Sequence, residues 1–382
     1  MRLALVAPGF SRDDRDWCIP ALAHLVRALS QRHQVEVFAL RYPPSAGTTR
    51  AFGADVHALG GSGTRGLRRA LLLARARAAL LRAAGRRPFD LVHGLWADEP
   101  GWLAVSVARP LALPAVVSLL GGDLVNLPDI RYGALRSRVN RWLVRRATAG
   151  ATVVTVGSRF MERLASQHTR ARLLRLVPLG VDTELFRPDA PSPTGLLDGS
   201  PRLLSVGSLT PVKDHGTLLR AFARITRERP ACRLHVVGDG PSRPDLQTLA
   251  GRLGVTEHIR FHGEIAHDRL PAYYRAADFC VLSSRFESEG MVVLEAALCG
   301  RATVGTEVGI LPELVPPDLA VPVGDDVALA NALAALASQP AKLAAAGDMA
   351  RLRALKDFSL ATCVDRLLDI YEEAVALLRA SR

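Results

Sequence analysis

Four consecutive residues, Gly290, Met291, Val292 and Val293, stand between two carboxylates, Glu287 and Glu295. Residues 279–282 are an apolar run closed by Ser283 and Ser284, the pattern of a short buried strand. Residues 285–290 are too polar for a core and make a corner. Residues 291–298 return as a helix that stops at Gly300. The first N–H groups of a helix have no partner within it and sit at the positive end of its dipole, so this turn suits an anion. Glu287 stands at the mouth of that site. Glu295, four residues after Met291, lies on the same face one turn deeper. An anion cradle between two carboxylates fits a ligand that carries both phosphate and hydroxyl groups.

A strand that feeds a helix through a polar corner is the ligand edge of a doubly wound parallel sheet. The chain supplies material for two such sheets. Residues 3–7 read as a buried strand ending in a glycine turn at Gly9, and Pro20 opens a helix with Leu22, Leu25, Val26 and Leu29 on one side. Strands at 35–40, 90–93, 115–120 and 151–156 follow, with helices between them. Residues 186–201 hold four prolines among Asp, Ser, Thr and Gly, a linker composition. The alternation then restarts, with strands at 202–206, 233–237, 259–261, 278–282 and 303–305. A last helix begins near residue 359, after the second sheet is complete. The reading is α/β, with a domain over 1–185 joined by the helix 359–382, and a second domain over 186–358.

Composition narrows the function classes. At 382 residues, 49% hydrophobic, the chain has enough length for two cores. Five cysteines, odd in number and without a C-x-x-C, indicate buried thiols in a reducing, cytoplasmic compartment. No uncharged apolar run reaches membrane-spanning length. The net charge of +12 is uneven: residues 1–184 hold 27 Arg against 13 acids, whereas the remainder is slightly acidic. Residues 65–87 are expected to form a helix with eight Arg and a core-facing stripe of Leu67, Leu71, Ala74, Ala78 and Leu81. Its basic face is either plain solvated surface or a contact for anionic lipid on the inner face of a membrane. Nucleic acid is set aside, because aromatic side chains to stack bases are few and no binding motif is present.

Several stretches together resemble one family. Residues 206–214 (Val-Gly-Ser-Leu-Thr-Pro-Val-Lys-Asp) with 218–222, then 236–241, 261–263 and 274–278, are similar in order and spacing to the donor domain of family 4 glycosyltransferases. Glu287 and Glu295 match that family's E-x7-E signature, continued by Ala296, Gly300 and Glu313. The first half is looser but includes residues 118–123, Ser158 and 177–182.

The resemblance implies a GT-B fold of two facing Rossmann-like domains, with a terminal helix crossing back to the first. It implies a retaining, metal-independent transfer of sugar from a UDP-, GDP- or similar nucleotide sugar to a sugar or lipid-linked acceptor. No cofactor is implied. Glu287 and Lys213 are the expected catalytic pair, Lys213 on phosphate and Glu287 against the donor sugar; only three Lys occur in the chain. Donor binding is expected of Gly9, Ser208, Lys213, Glu287, Gly290, Met291, Val292, Val293 and Glu295, the last toward ribose hydroxyls. Asp16, Trp17, His93, Trp96, Gly121, Gly122 and Asp123 are the acceptor candidates. Buried packing is the competing reading for Trp17, His93 and Trp96. Asp14-Arg15-Asp16 is formally a D-x-D but reads as loop charge rather than a metal site. Two positions depart from the family pattern. Ser208 stands where an Arg is usual, with Arg285 or Arg12 as substitutes, and Leu120 stands where a His is usual. Alternatives on the same fold are a nucleotide-sugar-binding protein without activity and an epimerase. A nicotinamide dehydrogenase is excluded, since Gly238-x-Gly240 lacks the third glycine and its spacing.

Overall fold

The computed structural model describes residues 1–191, 193 and 195–380. Ser192 and Thr194 of the expected linker, and the last two residues of the expected terminal helix, lie outside the described residues. The chain forms two compact units.

The first unit opens with β1 (Arg2–Gly9), α1 (Pro20–Ser30), β2 (Gln34–Tyr42), β3 (Gly47–Ala51), β4 (Ala54–Ala58) and α2 (Gly66–Arg86). It continues with β5 (Leu91–Leu95), α3 (Glu99–Ala108), β6 (Ala115–Leu119), α4 (Arg138–Gly150), β7 (Val153–Val156), α5 (Arg159–His168) and β8 (Leu174–Leu176). The eight strands are ordered β3-β4-β2-β1-β5-β6-β7-β8, and every pair is parallel except the β3–β4 hairpin. Every residue of β5, β6 and β7 is buried, as expected of strands covered on both faces, and the three polar ones, His93, Ser118 and Thr155, are hydrogen-bonded to one another.

The second unit contains β9 (Arg202–Val206), α6 (His215–Glu228), β10 (Arg233–Val237), α7 (Arg243–Leu253), β11 (Ile259–Gly263), α8 (Leu270–Ala276) and β12 (Phe279–Leu282). Then come α9 (Met291–Leu298), β13 (Thr303–Thr306), α10 (Leu311–Leu314), β14 (Ala320–Val321), α11 (Asp326–Ala337) and α12 (Pro340–Asp357). Its sheet order is β11-β10-β9-β12-β13-β14, parallel throughout. In each sheet the order reverses beside the unit's first strand, the crevice where such sheets take ligands.

The last helix, α13 (Leu360–Ala380), belongs to the first unit. Val364, Leu367, Ile370, Tyr371 and Ala374 join the core formed by Leu3, Leu5, Leu22, Leu25 and Val37. Arg175 pairs with Glu373 and Arg32 with Asp365 at its margins. The units divide after Gly180, earlier than the expected 185. Val181 donates its N–H to Phe358 O at 3.0 Å, and Phe186 packs on Tyr274 and His267, so both residues are held by the second unit.

Two expectations need correction. Helix α2 buries Leu72, Ala76, Leu80, Ala83 and Ala84, while Leu67 and Leu71 are 78% and 56% exposed. An Ala- and Leu-rich helix carries two apolar stripes, and the sheet took the other one. Of the cysteines, four are buried but Cys18 is exposed; no disulfide is formed. Among the described residues no helix is long and apolar enough to cross a membrane.

Candidate active site

In the second unit, the loops after β9 and β12 are laced together. Pro211–Lys213 makes one 3-10 turn, and Asp214, at φ 43°, ends it and caps α6 by accepting from Thr217 N–H and Oγ1–H. Arg285 N–H donates to Val212 O at 2.8 Å, and Ser283 Oγ–H donates to Lys213 O at 2.8 Å. This backbone stitching brings the Lys213 ammonium to Glu287 Oε1 at 2.6 Å, where Ser284 Oγ–H donates as well, also at 2.6 Å. The Glu287 side chain is 11% exposed and that of Lys213 25%. The pair thus sits at the surface edge of the unit, neither buried in its core nor free in solvent.

Gly290 caps α9 at φ 85°, a left-handed conformation that glycine adopts without a Cβ penalty. No side chain caps this end and the first turn holds no acid. Val293 N–H already donates to Gly290 O at 2.9 Å, so the expected anion cradle of residues 290–293 narrows to the N–H groups of Gly290, Met291 and Val292. Gly309 supports the corner: a Cβ there would lie 2.4 Å from Glu289 O and 2.9 Å from Glu287 Cβ.

Glu295 lies deeper than the sequence suggested. It is buried, and its Oε2 accepts the Tyr274 O–H at 2.6 Å. Burial pushes its carboxyl up to about 7, against the opposing hydrogen bond from Tyr274. Ser208 is exposed, its hydroxyl 3.3 Å from that of Thr210. Of the two suggested substitutes for the missing cation, Arg12 belongs to the first unit and lies 3.5 Å from Asp16.

In the first unit, Gly9 closes β1 where a Cβ would press Tyr42 Cβ at 3.1 Å. Asp16 accepts from Arg12 N–H and from Tyr42 O–H, both at 2.9 Å, and Asp14 accepts from Phe52 N–H. The D-x-D carboxylates are therefore committed to fastening loops. Trp17 packs between His24 and Phe52, ring centroids 5.0 Å from each, under the Arg27 guanidinium. His93 is not at a strand end: it is the third residue of β5 and buried. Its Nδ1 meets Tyr371 OH and its Nε2 meets Ser118 Oγ, each at 2.7 Å, and Ser118 continues to Thr155 at 2.5 Å. Burial drives its pKa down to about 3, so it is a neutral link between sheet and α13, out of reach of an acceptor.

Trp96, Gly121, Gly122 and Asp123 do come together. Trp96 has φ 78°, rare for a bulky residue, and donates its N–H to Ser118 O at 2.9 Å. Its indole Nε1 would lie 2.4 Å from a Cβ on Gly121, so only glycine fits there. Asp123 is buried; its Oδ1 accepts Ala97 N–H at 2.7 Å and its Oδ2 accepts Gly121 N–H at 3.0 Å. Burial, and then Asp98, raise its carboxyl to about 7. Asp123 therefore ties two loops together rather than facing an acceptor with a free oxygen.

Sequence reasoning missed a carboxylate–arginine cluster at the start of α3. Buried Glu99 pairs with Arg41 at 2.7 Å and with Arg69, which also donates to Asn140 Oδ1 at 2.6 Å. Nothing in the spacing of residues 41, 69, 99 and 140 could have joined them.

Two family models match the chain: Glycosyltransferase Family 4 over residues 21–185 and Glycosyl transferases group 1 over residues 200–339. A D-inositol 3-phosphate glycosyltransferase of Saccharomonospora viridis is 33% identical over 77% of this chain and 72% of its own length. The chain belongs to glycosyltransferase family 4. A GDP-mannose-dependent phosphatidylinositol monomannoside mannosyltransferase of Mycolicibacterium smegmatis is 34% identical over 61% of this chain and 65% of its own. Among solved structures, sucrose-phosphate synthase of Thermosynechococcus elongatus superposes with TM-score 0.80 at 21% identity, covering 99% of this chain and 100% of that one. Anabaena HepE in complex with UDP-glucose gives 0.76 at 21%, over 98% and 100%. This glycosyltransferase has the GT-B fold and is a hexosyltransferase of the nucleotide-sugar-dependent kind.

Proposed function

We propose that this family 4 enzyme transfers a hexose with retention of anomeric configuration, without a bound metal, to a hydroxyl of a lipid-linked or polysaccharide acceptor of the cell envelope. The observation that carries the donor reading is the meeting of Lys213 and Glu287, from two separate loops, beside the open start of α9. Departure of a nucleoside diphosphate loads negative charge on phosphate while the sugar becomes oxocarbenium-like. Lys213 and the N–H groups of Gly290, Met291 and Val292 would take the phosphate charge. Glu287, positioned by Ser284, would lie against the sugar at the reacting carbon. Glu295, oriented by Tyr274, would hold ribose hydroxyls. One bond from the sugar carbon to the diphosphate breaks, one to the acceptor oxygen forms, and the hydroxyl proton leaves with the diphosphate.

The acceptor reading draws on relatives named for inositol phosphate and phosphatidylinositol mannoside acceptors, and on the Arg-rich first half of the chain. Trp96 and the Gly121-Gly122 backbone are the acceptor-side candidates that remain, with the enzyme acting at the inner membrane face. The test measures hydrolysis and transfer from UDP- and GDP-hexoses. Glu287→Gln and Lys213→Ala should each lower kcat by about 10²–10³, the range for losing one preorganised charge stabiliser. Chelation by EDTA should leave the rate unchanged, and NMR should find the donor's anomeric configuration in the product. Equal rates in wild type and Glu287→Gln would sink the mechanism.

A further inference from the structure

Eight large apolar side chains are strongly exposed among the described residues, and four of them lie on α2 and α4: Leu67 (78%), Leu71 (56%), Val139 (56%) and Trp142 (49%). Both helices pack against α3, which lies between them. Arg69 of α2 reaches Asn140 of α4, and Trp102 of α3 meets Trp142 with ring centroids 6.3 Å apart. These contacts make one continuous surface of the first unit.

Its charge is of one sign. Neither α2 nor α4 contains an acidic residue, and the acid at the start of α3, Glu99, is buried and neutralised by Arg41 and Arg69. Exposed Arg68, Arg75, Arg138, Arg141 and Arg145 interleave with the apolar side chains. A merely solvated face would carry the arginines without the leucines and the tryptophan. Nucleic acid would use the charge but gain little from Leu67 and Leu71. A surface that offers both at once matches a bilayer interface, where apolar side chains enter the acyl boundary and guanidinium groups meet anionic headgroups.

We propose that the α2–α4 face is a docking surface for an anionic lipid bilayer, with Leu67, Leu71, Val139 and Trp142 inserting between headgroups. This deepens the reading of a lipid-linked acceptor by naming the surface that brings the enzyme to it. The exposed α2 stripe is the one that sequence periodicity assigned to the core, and a bilayer gives it a use that the sheet does not.

The test is flotation of the full chain with vesicles of phosphatidylcholine, with and without phosphatidylglycerol, at low and high salt. Wild type should float with the anionic vesicles only and be released by salt. Leu71→Glu with Trp142→Glu should weaken binding by more than about tenfold, and Arg68→Glu with Arg145→Glu by at least as much. Thermal melting confirms that both variants remain folded, and brominated lipid should quench tryptophan fluorescence in wild type but not once Trp142 is replaced. Absence of wild-type binding, or equal binding by folded variants, overturns the proposal. Self-association abolished by Leu71→Glu with Trp142→Glu, without lipid binding, overturns it in favour of a second copy of the chain. Flotation needs no donor, and nucleoside diphosphate binding by the same preparations is read separately, so failure of one reading leaves the other measurable.

Discussion

Helices α3 and α9 occupy the same place in their respective units. Each follows the strand that flanks its unit's first strand on the side opposite the second, β5 beside β1 and β12 beside β9. Their starts are opposite in charge. The first turn of α3 carries Glu99, backed by Arg41 and Arg69, so its positive end already faces a carboxylate of the chain's own. The first turn of α9 is Met-Val-Val behind a left-handed glycine, with Lys213 alongside but no acid of its own in the turn. One fold position thus serves as a structural lock in one unit and, in the donor site proposed above, as the anion receptor in the other. The residue at the first helical position marks the difference.

Breaking the lock should have the largest effect. Glu99→Gln leaves two arginines without their shared partner and should cost about 3 kcal/mol of stability, the low end for a broken buried pair because both guanidiniums are partly exposed. Chemical denaturation would measure it, with nucleoside diphosphate affinity unchanged. Converting the receptor into a lock comes next. Met291→Glu puts a carboxylate where α3 has Glu99, and titration calorimetry should show affinity for UDP or GDP falling about tenfold with little change in stability. A full-affinity Met291→Glu variant would mean that the helix start does not hold the phosphate.

The smallest effect concerns pH. Glu295 is raised to about 7 in the folded chain, so folding takes up a proton and this stabilisation is complete below the ordinary glutamate pKa and lost as pH rises through about 7. Between pH 5 and 7 the wild-type unfolding free energy, read by chemical denaturation, should decline with a slope of at most about 1.4 kcal/mol per unit from this group. Glu295→Gln, which can still accept from Tyr274, should flatten that decline. An unchanged slope would return the titration to other groups, Asp123 among them.

The sequence was most readable where function depends on backbone. The apolar runs, the glycine cap of α9 and the strand–corner–helix order of residues 279–300 are local and were legible without coordinates. Contacts made at long range were not. The Tyr274–Glu295 bond, the Glu99 cluster and the His93–Tyr371 link join residues whose separation carries no signal. The β3–β4 hairpin escaped notice for a different reason. Its turn is Phe52-Gly53, both at positive φ, where Asn or Asp would be the usual sign. Phe52 tolerates this because its ring is buried and its N–H is taken by Asp14. The stripe of α2 failed because periodicity alone cannot choose between two apolar faces set one residue apart.

Helix α13 has a consequence for biosynthesis. The groove that receives Leu367, Ile370 and Tyr371 stays open, and the His93 imidazole lacks its phenol partner, until a segment beyond the entire second unit has left the ribosome. The nascent first unit must therefore wait with an oily seam uncovered while the later unit is translated, and nonsense or frameshift lesions that remove α13 should harm a unit made well before them.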